Sequence, residues 1–376
     1  MERENVVENF FEKYAKDKKL DLLQKLDIYC KKNMDILADK FSEQFQRHFQ
    51  KIVQKQQREE KKEIGNIYLQ VLRTGILHKE YTILLSAYDA EGYFDKEPVQ
   101  THFTAGEFFT FLELYQQYLL EQSKQFIGKV NADDIEIMVQ KEALIYIKYI
   151  VKIARIALQR AIHTEAFQNI KKAGQFAVYA GEYKDYIEQI YFISDKRLNH
   201  KKIRKNINHV ENGKFYFQPF TEMDLSKLVL KKSNFCFTDF SGSDLTEADM
   251  RASYFVNAIF SNCTMEFCHF SWAVVFDANF ENANLKGAEF CYAAGGITVP
   301  NEKTEYVLGF SGVNFSNANL EYADFSSADF SGADFRGAKL KGADFSGACL
   351  KNAFFDKKDI ENLHLTQEQT ASIIIC

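Results

Sequence analysis

Residues 318–355 contain the triplets Ala318-Asn319-Leu320, Ala323-Asp324-Phe325, Ala328-Asp329-Phe330, Ala333-Asp334-Phe335, Ala338-Lys339-Leu340, Ala343-Asp344-Phe345, Ala348-Cys349-Leu350 and Ala353-Phe354-Phe355, separated by two residues each. The beat is five. A helix repeats at 3.6 and a flat strand at 2, so neither accommodates it. A chain that turns a corner once every five residues does. Ser241-Gly242, Ser331-Gly332, Arg336-Gly337, Lys341-Gly342 and Ser346-Gly347 suit such corners. Four corners close a coil of 20 residues, and coils stack at strand spacing, about 4.8 Å.

The beat extends upstream. Apolar residues fall on every fifth position from Leu225 to Phe290 and again from Phe310 to Phe355. With 46% hydrophobic residues, chance produces this at roughly 1 in 10⁸, so the period is architectural. Phe235, Phe240, Phe255, Phe260, Phe280, Phe315, Phe325, Phe335, Phe345 and Phe355 are expected to line the bore. Two places before most of these apolar residues stands a small one, Ala in most of the second run and Ala, Ser, Thr or Cys from Ser233 on in the first; Leu308 and Val313 are larger. Stacking at 20 predicts files of Phe240, Phe260 and Phe280, of Phe315, Phe335 and Phe355, and of Phe325 over Phe345. How the two runs align across the break is left open.

The Ala-(Asp/Asn)-(Leu/Phe) pattern over 225–355 resembles the pentapeptide-repeat family. The resemblance implies a right-handed quadrilateral β-helix, often dimeric through one end. It also implies that some members stand in for DNA on type II topoisomerases such as gyrase and protect against quinolones, while most have no assigned activity. Fold is implied more firmly than function.

The break, 293–307, holds Gly295, Gly296, Pro300 and Tyr306 and reads as a loop ejected from one corner. It is either a binding loop or a tolerated insertion. Ala293 and Gly295 fit one further degenerate repeat. Upstream, Phe215, Tyr216, Phe217, Pro219 and Phe220 suit a plug for the first coil, and 359–369 a closing turn or short helix. The apolar tail 371–376 either packs on its own last coil or pairs with a second chain as a homodimer.

The 376 residues carry a net charge of −5, split as +4 over 1–214 and −9 over 215–376. The balance argues against a general nucleic-acid binder. Seven Cys without a CxxC pair point to reduced thiols, and the charged N-terminus and the lack of a long apolar run point to a cytoplasmic protein. Residues 1–197 read as a mainly helical domain. One long helix carries Leu26, Cys30, Met34, Leu37, Phe41, Phe45, Phe49 and Ile52. A hairpin spans 66–90. Further helices start at Thr104, with Glu107 at capping-box spacing, at Asp133 and at Tyr183. Residues 198–214 read as a basic linker, continuing the run Lys196, Arg197, Lys201, Lys202, Arg204 and Lys205. The β-helix is expected over 215–370.

The sequence offers little chemistry. Gly332 and Gly337 have P-loop spacing but Ala338-Lys339 follows, and Gly309-Phe310-Ser311-Gly312 is no nucleophile elbow. Cys263, Cys268 and His269 are weak as a metal set, so no metal or cofactor is assigned. Cys236 and Cys291 face outward. Asp224, Asp239, Asp244, Asp249, Asp324, Asp329, Asp334, Asp344 and Asp359, with Glu289, fall on the motif's outward position, so the acidity is partly a by-product of the fold. The candidate binding surface comprises Asp324, Asp329, Asp334, Asp344, Tyr254, Gly295, Gly296 and Tyr306. The expected function is a non-enzymatic protein–protein interaction scaffold. The alternatives are an acidic, DNA-like inhibitor or protector of a type II topoisomerase and an enzyme whose site lies in the N-terminal domain.

Overall fold

The computed structural model describes residues 3–194, 200–208, 210, 212–301, 303–305 and 309–376. The chain forms two compact units, Met1–Lys196 with Val299–Tyr306, and Arg197–Thr298 with Val307–Cys376.

The first unit is helical but also holds a five-stranded sheet. The expected single long helix is two, α1 (Arg3–Lys32) and α2 (Met34–Gln57). They part at Asn33, whose side-chain amide donates to Tyr29 O at 2.8 Å and competes with the helix backbone. Then come β1 (Ile64–Val71), the short α3 (Arg73–Leu77), β2 (Thr82–Asp89) and β3 (Val99–Thr104). β1 and β2 pair antiparallel across the expected hairpin. α4 (Gly106–Ser123) starts after Thr104 but lacks the expected capping box, because Thr104 ends β3 opposite Thr82 and Glu107 accepts from Lys40 Nζ at 2.6 Å. α5 (Ala132–Ala161) does have one, between Asn131 and Asp134, and α6 (Glu165–Gln168) follows.

The helix expected from Tyr183 is a strand. β4 (Lys172–Glu182) and β5 (Ile187–Ser194) form a second hairpin, and β4 pairs parallel with β1 in the order β3-β2-β1-β4-β5. Ile187, Ile190, Tyr191, Phe192 and Ile193 are strand formers, and a neighbouring strand edge decides the matter. α2 packs on β2 and β3, and α5 on β4 and β5.

In the second unit, parallel bridges join residues 20 apart. Lys214, Pro219, Asp224 and Val229 pair with Asn234, Asp239, Asp244 and Asp249, and the four lines run on to Cys349, Phe354, Lys339 and Asp344. This is a β-solenoid whose lumen is filled by side chains. Phe220, Phe240, Phe260, Phe280, Phe315, Phe335 and Phe355 stand in one file, with successive centroids 5.6, 4.9, 4.7, 5.0, 5.2 and 4.8 Å apart. Phe270, Phe290, Phe325 and Phe345 form another, and Phe215, Phe235 and Phe255 a third. Burying each ring is worth roughly 1.5–3 kcal/mol. The small neighbours are buried too, and the polar ones stitch coils together. Thr238 Oγ1, Ser243 Oγ, Ser253 Oγ, Cys263 Sγ and Cys268 Sγ donate to carbonyls 23 residues back, at 2.6–3.0 Å.

The insertion resolves the alignment of the two runs. Asn279, Asn284, Glu289 and Ala294 pair with Asn314, Asn319, Asp324 and Asp329, 35 residues on instead of 20. Fifteen residues are therefore excess, and the repeat extends to Gly295 before it breaks. Phe310 is buried but stands outside the ladder, which resumes at Asn314; its amide donates to the Asp277 carboxylate at 2.7 Å.

The ends are closed. Within the expected basic linker, α7 (His200–Ile207) buries Ile207 against the lumen cluster, and Arg204 donates to the Asp224 carboxylate at 2.7 Å. Lys196, Arg197, Leu198, Tyr306 and Leu308 lie outside the described residues. At the other end, β6 (Phe354–Phe355) is followed by α8 (Lys357–Ile360), which contains Asp359 and so removes it from the outer walls, and by α9 (Gln367–Ser372). The Gln369 amide donates to Phe345 O and Ala348 O, and β7 (Ile374–Ile375) pairs with β6, so the tail packs on its own last coil. Among the described residues, no helix is long and apolar enough to cross a membrane.

Candidate interaction surface

Each corner of the solenoid holds its second residue in left-handed backbone. Gly occupies seven such places, among them Gly242, Gly312 and Gly342, at φ 70°, 80° and 72°. Glycine adopts this conformation freely; an L-residue pays about 1–2 kcal/mol. Yet Phe267, Trp272, Tyr292 and Tyr322 stand there at φ 56°, 63°, 57° and 61°. All four are more than half exposed.

These four rings flank one wall, whose outward line runs Asp249, His269, Glu289, Asp324, Asp344. On one corner Phe267 lies across Gly287 and Tyr322 across Gly342. A Cβ on either glycine would meet ring carbon at 2.6 and 2.7 Å, so the absence of a side chain creates the seat. On the other corner Trp272 and Tyr292 stack at 4.4 Å and 11°. Between them His269 Nδ1 lies 2.8 Å from Glu289 Oε2, and the Cys291 thiol donates to Asp324 Oδ2 at 2.9 Å. Burial pushes the Asp324 carboxyl up, but hydrogen bonds from Cys291 and Ser326 outweigh it and hold the group below its ordinary value.

The acids singled out from sequence do not form one surface. Asp324 and Asp344 share this wall, Asp329 lies on the next, in line with Tyr254, and Asp334 on the one after. Each caps its own corner. Oδ1 of Asp324, Asp329, Asp334 and Asp344 accepts the amide two residues on, at 2.8, 3.0, 3.0 and 2.8 Å. That Asx-turn is the physical reason the motif carries Asp or Asn. Tyr254 is 53% exposed. Gly295 and Gly296 are buried, not on the surface. Gly295 takes the lumen place between Val275 and Phe330, and a Cβ on Gly296 would collide with Asp329.

The sequence reading passed over Phe267, Trp272 and Tyr322. The available signal was a bulky aromatic at a corner position that elsewhere takes mostly Gly, Asn or small and charged residues, with Phe217 and Phe237 the other aromatics there. Burial raises the thiols of Cys236, Cys263, Cys268 and Cys291 above the ordinary thiol value. Cys263 and Cys268 point into the lumen while His269 points out, so they form no common metal set. Among the described residues, no three His, Cys, Asp or Glu converge on a metal position.

In the first unit several buried or half-buried charged groups are paired. Lys61 and Asp95 form a buried pair, and Arg73 reaches Glu182 at 2.5 Å. Lys19 bridges Glu142 at 3.2 Å and Glu305 at 2.6 Å, and Gln24 donates to Pro300 O at 3.0 Å. Tyr68 is stacked between Tyr93 and Tyr179 at 5.2 and 5.0 Å. Residues 299–301 and 303–305 of the insertion thus belong to the packing of this unit.

The sequence profile described as pentapeptide repeats matches in eight copies, over 220–251, 229–266, 310–347 and 318–356. No curated protein matches the chain. Among solved structures, similarity is found to a pentapeptide repeat protein from the Arabidopsis thaliana thylakoid lumen, at 19% identity over 35% of this chain and 71% of that one, with a TM-score of 0.22. A trypsin-treated form of QnrB1, a plasmid-mediated fluoroquinolone resistance protein, is 19% identical over 45% and 87%, with a TM-score of 0.26. HetL, a pentapeptide repeat protein involved in heterocyst differentiation regulation from Nostoc sp. strain PCC 7120, is 23% identical over 38% and 77%, with a TM-score of 0.17.

Proposed function

We propose that this chain, whose C-terminal region is built of pentapeptide repeats, is a non-catalytic scaffold that holds a protein partner on one wall of a right-handed quadrilateral β-helix. The observation that carries this reading is the set of exposed aromatics, Phe267, Trp272, Tyr292 and Tyr322, kept in left-handed backbone at the corners of a single wall. The fold imposes left-handed backbone at every corner, Lys227, Lys232 and Glu247 included, so what sets these four apart is that exposed rings gather on one wall. Exposed aromatic side chains with few rotamers are the usual anchors of protein interfaces. A solenoid with a filled lumen presents them on a rigid support. The test is affinity capture with the full chain, against a variant carrying Asn at all four positions. Loss of the same partner from the variant supports the reading, and equal capture by both defeats it.

A second reading, an acidic rod competing with DNA for a type II topoisomerase, draws on the −9 balance of 215–376. It predicts inhibition or protection in a gyrase supercoiling assay at micromolar protein. The corner-capping duty of the acids, and the outward Tyr254, Ile259 and Phe354 that interrupt them, favour the scaffold.

A further inference from the structure

We propose that the wall bounded by Phe267, Tyr322, Trp272 and Tyr292 binds an arginine-bearing extended segment of a partner protein. The inference rests on the scaffold reading and names the chemistry of its partner.

Three observations converge. First, the charge on and beside the wall is acidic. Glu266, Glu289, Glu321, Asp324 and Asp344 face Lys286 and Lys341, while Arg251 is spent on Asp249 at 2.8 Å and His269 on Glu289. Second, flat aromatic faces stand at both edges, immobilised by the glycines beneath them or by stacking, so that binding need not order them. A guanidinium is the cation that both stacks on an aromatic face and forks onto a carboxylate; an ammonium is a point charge that does neither as well. Third, the β-helix makes this arrangement within itself. Arg336 donates from Nε and Nη2 to the two oxygens of Asp334, at 2.9 and 2.7 Å, and its guanidinium lies 5.3 Å over the Phe354 ring of the next coil. The aromatic-edged wall offers the same two kinds of group, carboxylates and exposed rings, with the rings at its corners where Phe354 stands on an outward line.

An extended segment fits better than a helix. The wall is a flat stack of coils about 4.8 Å apart, and an extended chain lying along the axis, rising about 3.3 Å per residue, reaches several coils within a few residues.

The experiment uses the full chain and fluorescein-labelled nona-arginine as the probe, with nona-lysine, nona-glutamate and a 20-base-pair duplex as comparisons, read by anisotropy at about 0.15 M salt. Nona-arginine should bind at least tenfold more tightly than nona-lysine. W272N/Y292N and E289Q/D324N should each weaken it at least tenfold, with unchanged circular dichroism confirming that the variants fold. Equal binding of the two cationic peptides, or wild-type binding by both variants, would overturn the proposal by reducing it to diffuse electrostatics. Preferential binding of the duplex would also overturn it. Sedimentation of the chain alone covers the remaining occupant: self-association that the four-Asn variant loses assigns the wall to a second copy and overturns the proposal. If nona-arginine fails while the four-Asn variant still loses a captured protein, the scaffold reading survives and the arginine chemistry falls.

Discussion

Phe280 and Phe315, 35 residues apart, stack face to face at 5.0 Å and 12° in the file that runs through the solenoid from Phe220 to Phe355. The insertion between them leaves the column unbroken. Phe280→Ala should therefore behave like a change in mid-core, costing about 3–5 kcal/mol by loss of transfer energy and creation of a cavity. Phe220→Ala, at the file's looser start where the ring tilts by 46° against Phe240, should cost less. Urea unfolding followed by circular dichroism separates the two, and equal costs would contradict a continuous column.

Excision of residues 297–311 should restore the 20-residue spacing. It joins Gly296 to Gly312, which already has the corner conformation at φ 80°, and returns Val313, Asn314 and Phe315 to phase. The shortened chain should keep its β-solenoid circular dichroism and thermal midpoint within a few degrees. Lys19 loses its partner Glu305, so any cost should appear in the N-terminal unit.

Aromatics at left-handed corners carry strain that Asn tolerates better. Trp272→Asn should therefore leave stability within about 1 kcal/mol of wild type, because relief of strain offsets the lost stack on Tyr292. Gly342→Ala should destabilise by about 1 kcal/mol or more, since it adds strain at φ 72° and displaces the Tyr322 ring. Denaturation midpoints measure both, and a Trp272→Asn loss like that of a buried aromatic would count against the strain argument.

The Asp324 carboxyl is held below its ordinary value of 3.8. A group depressed on folding stabilises the fold above its unfolded value, and that contribution disappears as pH falls through the folded value. Asp324→Asn keeps the corner cap at Oδ1 but cannot titrate. The variant should be less stable than wild type at pH 7, and the gap should close between about pH 5 and 2. Urea midpoints across that range test it, and a gap independent of pH would refute it.

The solenoid was readable because five-residue periodicity admits few backbones and the lumen tolerates only one kind of residue at each place. Ala323, Asp324 and Phe325 declare inside, cap and core from residue type alone. The N-terminal sheet was less visible. Tyr183–Ile193 contains residues compatible with either state, and only β4 alongside makes it a strand. The placement of the candidate surface residues was hidden for a related reason. Asp324 and Asp334 look alike in sequence and face different walls, since ten residues are half a coil. Gly295 looks like loop and is core, because Phe330 fills the space a side chain would take.

The corner at Gly296 and Gly312 also shows what the other corners can bear. Entry and exit meet within one turn, so the columns register nothing of the sequence between them. Gly347 has the same backbone, at φ 68°, and nothing closer than 3.5 Å to the place its Cβ would occupy. A foreign peptide grafted there would be displayed like a flag on a mast, its length free and the columns beneath it left in phase.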